Sequence, residues 1–196
     1  MSNWLSRNLM RLGALDAMEN PLTVPSVQNS VHHFLQRAAG YQIDTEITLS
    51  ADGATASENI FQITGTVYIQ RLFAIVTDAT TLVNCTAASF DLFPTGGAAV
   101  QISAATGVLS GITVGSIVAK TGLASDVFIV ADAVGAVITE QTYEGSDVFN
   151  GFLVTQKAAT DTFIRFTYTT TDSPINAKLQ VYCEYRPLNG GSLVAV

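Results

Sequence analysis

The chain has 196 residues and a formal net charge of −7, with 9 Lys and Arg against 16 Asp and Glu. Charged residues make up 13% and hydrophobic residues 48%, which excludes an intrinsically disordered chain. The acidic balance excludes a general nucleic-acid binder, because neutralising phosphates requires a surplus of Lys and Arg. A membrane-spanning helix is excluded as well, because the longest strongly apolar runs are about ten residues against the ~20 that spanning requires.

The first 41 residues are predicted to form a helical arm, ahead of a β-rich body over residues 42–196. Apolar residues recur at three- and four-residue steps and predict a helix over residues 2–19, ended by Pro21. Its apolar stripe includes Trp4, Leu5, Leu9 and Leu12. Such a short helix is unstable alone in water, so the stripe needs a partner. The partner is its own body, another protein or a membrane surface; few Lys and Arg line the polar face, which disfavours the membrane.

The rest of the arm is predicted to be an extended segment followed by a second helix. Pro21 and Pro25 bracket Leu22 and Val24 and favour an extended backbone there. A second apolar stripe predicts a helix over residues 26–39, and Gly40 ends it. This helix carries both histidines of the chain, His32 and His33. Adjacent helical residues point about 100° apart, so the two cannot easily bind one metal ion.

From Tyr41 onward the apolar period changes to two, which predicts strands. The strand regions are 41–49, 61–76 with a break at Gly65, 82–93, 100–102, 108–118, 127–131, 134–139, 149–155, 162–170 and 178–186. The last two regions each place one apolar set on one face: Ile164, Phe166 and Tyr168, and Leu179, Val181, Cys183 and Tyr185. Short strands joined by turns predict a mainly β fold, either a β-sandwich or a barrel. We expect an antiparallel, jelly-roll-like β-sandwich with a short N-terminal helical arm.

Residues able to do chemistry are few. Cys85 and Cys183 fall in predicted strands, and whether they pair stays open. No secretory signal is apparent at the N-terminus, so synthesis in a reducing cytoplasm is expected. Glu140, Glu144 and Asp147 cluster in one polar link, which favours a solvated loop over a catalytic pair and leaves calcium as a weak alternative. We expect no catalytic residue, no metal and no cofactor.

The low charge fraction itself carries a functional prediction. Charged residues usually make up about a quarter of a soluble domain, which is roughly twice the fraction found here. Much of the exterior is therefore expected to be covered by other subunits. The alternative is a monomer whose surface is covered by Thr, Ser and Gln.

Three runs of the body resemble structural proteins of tailed bacteriophage particles. They are Asp91–Ser103, Gly111–Lys120 and Ala177–Leu188. The likeness covers about residues 60–188 and lies in Ala-, Thr-, Gly- and Val-rich strands with few lysines. It implies a head decoration, cement or head-fibre protein, or a tail or neck component, that forms β-sandwich trimers. The implied location is the virion, assembled in the host cytoplasm, and the implied partners are sister copies in a homotrimer and the major capsid protein or other virion subunits.

These observations predict a non-enzymatic protein that oligomerises and clamps neighbouring capsid or tail subunits through its arm. Aromatic and aliphatic anchors usually dominate interface energy. The predicted partner-binding residues are Trp4, Leu5, Leu9 and Leu12, followed by Leu22 and Val24. A receptor- or glycan-binding fibre module is the alternative, and it requires exposed aromatic residues on the body. An enzyme would require a cleft that holds a histidine near an acid and a nucleophile.

Overall fold

The body of the protein is mainly β. A computed structural model describes residues 40–50, 53–80, 82–107, 109, 112–120, 124–127, 129–131, 151–171 and 176–196. The strands are β1 (Tyr41–Thr48), β2 (Thr55–Asp78), β3 (Cys85–Pro94), β4 (Val100–Gln101), β5 (Ile117–Ala119), β6 (Ile129–Ala131), β7 (Phe152–Thr155), β8 (Thr162–Thr170) and β9 (Lys178–Ala195). A 3₁₀ turn, Leu82–Asn84, precedes β3. Both predicted arm helices and the predicted strand over 134–139 lie outside the described residues.

One long strand, β2, organises the sheet. Across the described residues the strand order is β1-β9-β2-β8-β3-β4, with β5 and β7 also paired to β2 and β6 paired to β5. One edge of β2 pairs with β9, while its other edge pairs in turn with β8, β7 and β5. Each strand pair whose register is described is antiparallel, which confirms the prediction of a mainly β, antiparallel fold.

The core lies against one face of this sheet, because successive side chains of a strand point to opposite faces. Strand β8 buries every second residue, and β9 does so from Leu179 to Tyr185, as the sequence pattern predicts. Phe166 packs edge-on against Phe90, with ring centroids 5.3 Å apart, and lies 6.1 Å from Tyr168. The fully buried Tyr168 donates its hydroxyl proton to Glu58 Oε1 (3.3 Å) and accepts the Ser50 N–H (2.9 Å). The largest core aromatic residue with a polar group is therefore hydrogen-bonded.

Bulges allow β2 to run for 24 residues without a break. The register shifts at four points, between Asn59/Phe61, Thr64/Thr66, Ile69/Arg71 and Val76/Asp78. The shift beside Gln70 inserts one residue and exchanges the two faces of the strand. As a result the buried set changes from odd to even numbers; its members are Phe61, Ile63, Val67 and Ile69, then Leu72, Ala74 and Val76.

A glycine corner, formed by Gly65 of β2 and Asn189–Gly191 of β9, kinks both strands at one place. Gly65 has φ of 64°, and its N–H and C=O both bond to Gln156, at 3.1 Å to Oε1 and 2.8 Å from the backbone N. Opposite it, Asn189–Gly191 bulge outward, and Gly191 lies so close to β2 that a Cβ there would overlap the Thr66 backbone. The prediction of a strand break at Gly65 was wrong, because Gln156 and the bulge keep the ladder continuous.

Two further predictions on strand extent were wrong. The last strand does not end at Arg186; it continues through Pro187, which pairs with Val67, to Ala195. The predicted strand over 108–118 is reduced to its end, because β5 is Ile117–Ala119 and residues 112–116 are irregular. Thr113–Ser116 instead form a turn, closed by the Ser116 N–H bond to the Thr113 carbonyl at 3.0 Å.

Candidate interaction surfaces

The predicted partner-binding residues cannot be placed. Trp4, Leu5, Leu9, Leu12, Leu22 and Val24 lie outside the described residues, as do His32 and His33 and the acidic cluster Glu140, Glu144 and Asp147. The surfaces that follow therefore belong to the body alone.

Groups for catalysis or metal binding are scarce in the described part of the chain. It holds no group of three or more His, Cys, Asp or Glu that could bind a metal ion, and no helix there has the length and hydropathy to span a membrane. Cys85 and Cys183 are free and buried. Burial raises the pKa of the Cys85 thiol to about 12. Burial first, and the neighbouring Glu184 second, also raise the pKa of Cys183. Both thiols therefore stay protonated, which is the unreactive form.

An apolar patch lies on the outer face of β7, β2 and β9. We define it by Leu153, Leu188 and Val194, which are 63%, 39% and 56% exposed. Leu153 stands opposite Tyr68, Leu188 opposite Thr66, and Val194 opposite Gln62. Leu153 and Val194 point away from the core, because their neighbours Val154 and Leu193 are buried. Leu188 shares that face, because the preceding Pro187 pairs with the buried Val67. Scattered exposed apolar residues are ordinary, so it is their position on one sheet face that makes these three a candidate contact surface.

Aromatic and charged side chains continue this outer face toward β5. Phe73 stacks on Tyr182 with ring centroids 5.1 Å apart and an interplanar angle of 15°. Arg71 Nη1 lies 3.7 Å from Glu184 Oε1, with side chains 57% and 34% exposed. At the far end Lys178 Nζ contacts Glu46 Oε1 at 3.0 Å. This face therefore carries apolar and aromatic side chains with charges at its rim, an arrangement that interfaces share.

A polar row occupies the outer face at the other end of β2. We define it by the cross-strand pairs of β2 and β8: Thr55 with Thr169, Ser57 with Thr167, and Asn59 with Arg165. The two hydroxyl pairs are hydrogen-bonded, at 2.8 Å and 2.9 Å between oxygens. Next in the row Gln62 Nε2 donates to Asp161 Oδ1 at 3.0 Å. Water or hydroxyl-bearing ligands suit such a surface, because each hydroxyl both donates and accepts.

One charged pair interrupts the polar row. Arg165 stands directly opposite Asp91 of β3, with its Nε 3.9 Å from Asp91 Oδ2 and side chains only 18% and 13% exposed. The guanidinium lies over the Phe93 ring, 4.1 Å from its centroid. The Arg165 Nε is buried and has no hydrogen-bond partner. The pair is therefore fixed in place but incompletely bonded.

Neither surface was predicted from the sequence. Leu188 and Val194 follow Pro187 and Gly190, so they were not assigned to a strand, and their face could not be inferred. Leu153 lay in a predicted strand, but alternation alone does not say which face is covered. Arg165 and Asp91 were each in predicted strands, and only the register of β3 with β8 makes them neighbours.

Comparison of the chain with protein-family models, with curated proteins and with solved structures found no match in any of the three. The functional argument therefore rests on the residues and their geometry.

Proposed function

We propose that the protein is a non-enzymatic structural subunit of a bacteriophage virion. In this proposal the body, a jelly-roll-like β-sandwich, associates with sister copies as a homotrimer. The N-terminal helical arm then attaches the trimer to the major capsid protein or to other virion subunits. The arm residues that anchor it are Trp4, Leu5, Leu9 and Leu12, with Leu22 and Val24 beside them.

The apolar patch is the observation that carries this proposal. Leu153, Leu188 and Val194 expose large aliphatic side chains on one sheet face, and the transfer of each from water to an interface is favourable by roughly 25 cal/mol per Å². A charge fraction of 13% supports the same conclusion, because it leaves few ionised groups to solvate the exterior. An assembly subunit with covered faces accounts for both features.

Oligomeric state tests the role of the patch. We expect the wild-type protein to sediment as a homotrimer, and Leu153→Asp and Leu188→Asp to sediment as monomers with an unchanged β-sheet circular dichroism spectrum. A charge buried at an interface without a partner is strongly unfavourable, whereas the same charge on a free surface is not. Val114→Asp is the matched control, because Val114 is as exposed as Val194 but lies in the turn before β5.

A wild-type monomer at tens of micromolar protein would contradict the proposal. So would a Leu153→Asp, Leu188→Asp double variant that keeps the wild-type mass.

Attachment is tested separately at the arm. Trp4→Ala should lower co-sedimentation with purified particles and leave the mass and the β-sheet spectrum of the protein unchanged, because a central aromatic anchor dominates such contacts. Arg7→Ala is the control that should still attach, because the helical period places Arg7 on the side of the predicted helix away from the apolar stripe. Loss of the β-sheet spectrum in Trp4→Ala would instead assign the helix to the core.

A further inference from the structure

The sequence contains two Asn–Gly pairs, Asn150–Gly151 and Asn189–Gly190, and the second lies wholly within the described residues. An asparagine followed by glycine is open to self-modification, because glycine has no side chain to shield its backbone nitrogen. That nitrogen can attack the side-chain carbonyl carbon of the asparagine. Whether it does so in a folded protein depends on how freely the two residues rotate.

The glycine corner holds Asn189 and Gly190 outside the pairing with β2. The register of β9 with β2 passes from Leu188 to Ser192, so the residues between them pair with no residue of β2. Asn189 and Gly190 are both exposed, and a Cβ added to Gly190 would meet no atom within 4 Å beyond its chain neighbours. The backbone between them can therefore rotate without displacing a paired residue.

Asn59 shows what strand pairing changes. It is exposed as well, but it pairs with Arg165 of β8 and is followed by the fully buried, β-branched Ile60. The side chain of Ile60 shields the backbone nitrogen, and rotation at Asn59 would displace paired residues from the ladder. Exposure is therefore common to both asparagines, whereas an unshielded nitrogen outside the strand pairing distinguishes Asn189.

We propose that Asn189 is a site of spontaneous deamidation. The Gly190 nitrogen forms a bond to the Asn189 side-chain carbonyl carbon, and the bond from that carbon to the amide nitrogen breaks. The proton of the Gly190 N–H ends on the ammonia that leaves. Water then opens the resulting cyclic imide at either carbonyl, which gives aspartate or isoaspartate. Each conversion adds one negative charge to the chain.

The new charge would lie beside Leu188, in the apolar patch. An unpaired carboxylate disfavours an apolar contact, because the contact would remove its water. Aspartate tolerates the φ of 49° that Asn189 has, so the body should keep its fold when aspartate forms. Deamidation would therefore weaken the association of copies without unfolding them. This consequence, unlike the reaction itself, rests on the proposed homotrimer.

Mass spectrometry of the full-length protein tests the reaction. The protein is held in mildly alkaline buffer made with heavy-oxygen water and then digested, so each converted asparagine carries a heavy oxygen atom. We expect Asn189 to convert at least about tenfold faster than Asn59, because a β-branched neighbour and strand pairing hinder the reaction at Asn59.

Two glycine variants show whether the Gly190 nitrogen is the attacking group. Gly190→Ala should slow the conversion of Asn189 by a similar factor, because the added methyl group shields that nitrogen. Gly107→Ala is the matched control, because Gly107 also has open space around it but is distant from the corner in sequence. It should leave the rate unchanged.

Sedimentation tests the consequence with two fixed variants. Asn189→Asp carries the charge of the product, whereas Asn189→Gly accommodates the positive φ and has neither amide nor charge. We expect copies of Asn189→Asp to associate at least about tenfold more weakly than copies of Asn189→Gly, with the same β-sheet circular dichroism spectrum.

Retention of the Asn189 amide for as long as that of Asn59 would overturn the proposal, as would equal rates in wild type and Gly190→Ala. A wild-type trimer that Asn189→Asp and Asn189→Gly both form equally well would overturn the effect on assembly. A wild-type monomer would contradict the proposed function instead, whereas uptake of heavy oxygen at Asn189 would still support the modification site.

Discussion

The two ends of β2 share one core but have opposite exteriors. On the core side, both ends bury aliphatic residues such as Ile63 and Val76 completely or almost so. On the outer side, the end before the glycine corner carries the polar row, with Val194 of the apolar patch opposite Gln62. The end after the corner carries Leu153, Leu188 and the Phe73–Tyr182 stack. A single strand, continuous through Gly65, therefore presents two different surfaces.

This difference goes beyond what folding requires of the exterior. Folding alone requires only that the outer face tolerate water, and the polar row meets that need with hydroxyl pairs such as Ser57–Thr167. The outer face around Leu153 and Leu188 is not adapted to water in this way, because exposing aliphatic side chains to solvent is unfavourable. The polar end is therefore compatible with solvent alone, whereas the apolar side chains are those that the proposed assembly would cover.

The glycine corner separates the two ends, and Gly191→Ala should break the comparison most severely. A Cβ at this position would overlap the carbonyl group of Thr66, a backbone atom that cannot move without shifting β2. We expect the free energy of unfolding to fall by about 3 kcal/mol, the upper part of the usual range for overpacking. Urea denaturation followed by circular dichroism measures this change.

Substitutions at two other glycines separate the cost of Cβ overlap from the cost of a positive φ. A Cβ at Gly190 meets nothing within 4 Å, but its φ of 81° strains any other residue, so Gly190→Ala should cost about 1 kcal/mol. Gly107 has open space and no positive φ, so Gly107→Ala should be close to neutral. Equal losses for Gly190→Ala and Gly191→Ala would show that the two strands do not approach closely at the corner.

Alternating patterns made most of the strands of the body predictable from sequence. Strand β8 was predicted with its observed ends, and its buried face of Ile164, Phe166 and Tyr168 was confirmed. The full extents of β2 and β9 were not predicted, because Gly and Pro residues such as Gly65 and Pro187 usually interrupt strands. Here a side chain distant in sequence, that of Gln156, bonds to Gly65 and maintains the ladder. Such long-range compensation is absent from any local pattern.

The candidate surfaces were less predictable than the fold. The low charge fraction predicts that part of the exterior is covered by other subunits, but it names no residue. The apolar patch arises only after β7 and β9 take their places on opposite edges of β2. The Arg165–Asp91 pair likewise needs the register of β3 with β8. Residues at the arm, where the sequence placed the contacts, stay a prediction.

Two arginine–carboxylate pairs allow a sharper comparison of the ends. Asp91→Asn removes the charge beside the largely buried Arg165, so it should lower the free energy of unfolding by about 2 kcal/mol. Glu184→Gln removes the charge beside the exposed Arg71 at the apolar end, where solvent screens the pair, and should cost less than about 0.5 kcal/mol. Chemical denaturation of both variants at low and high salt gives the two values.

High salt should lower the cost of Glu184→Gln and leave the cost of Asp91→Asn unchanged, because salt screens only the exposed Arg71–Glu184 pair. Equal costs, or a loss of both at high salt, would mean that Arg165 is as solvated as Arg71, and the two ends would then be electrostatically alike.

The last expected effect, smaller than that of Gly191→Ala or Asp91→Asn, concerns the thiols, which test whether the core is uniform beneath both ends. Cys85 pairs with Thr170 of β8 at the polar end, and Cys183 pairs with Leu72 at the apolar end. Burial raises the pKa of Cys85 from 9.0 to about 12, and that of Cys183 is raised as well. Above pH 9 the unfolded chain loses thiol protons that the folded protein keeps, so stability is complete below pH 9 and falls as the pH rises toward 12.

At pH 10 we expect each thiol to account for a loss of about 1 kcal/mol, measured as the difference between wild type and the matching Cys→Ala variant across pH 8 to 10.5. Subtracting the variant removes the ionisation of tyrosines and lysines from the comparison. If Cys85→Ala and Cys183→Ala flatten the pH dependence equally, the core is uniform, and the contrast between the ends belongs to the exterior alone. If only one does, the other thiol is already accessible in the folded protein, and the division at the glycine corner extends into the core.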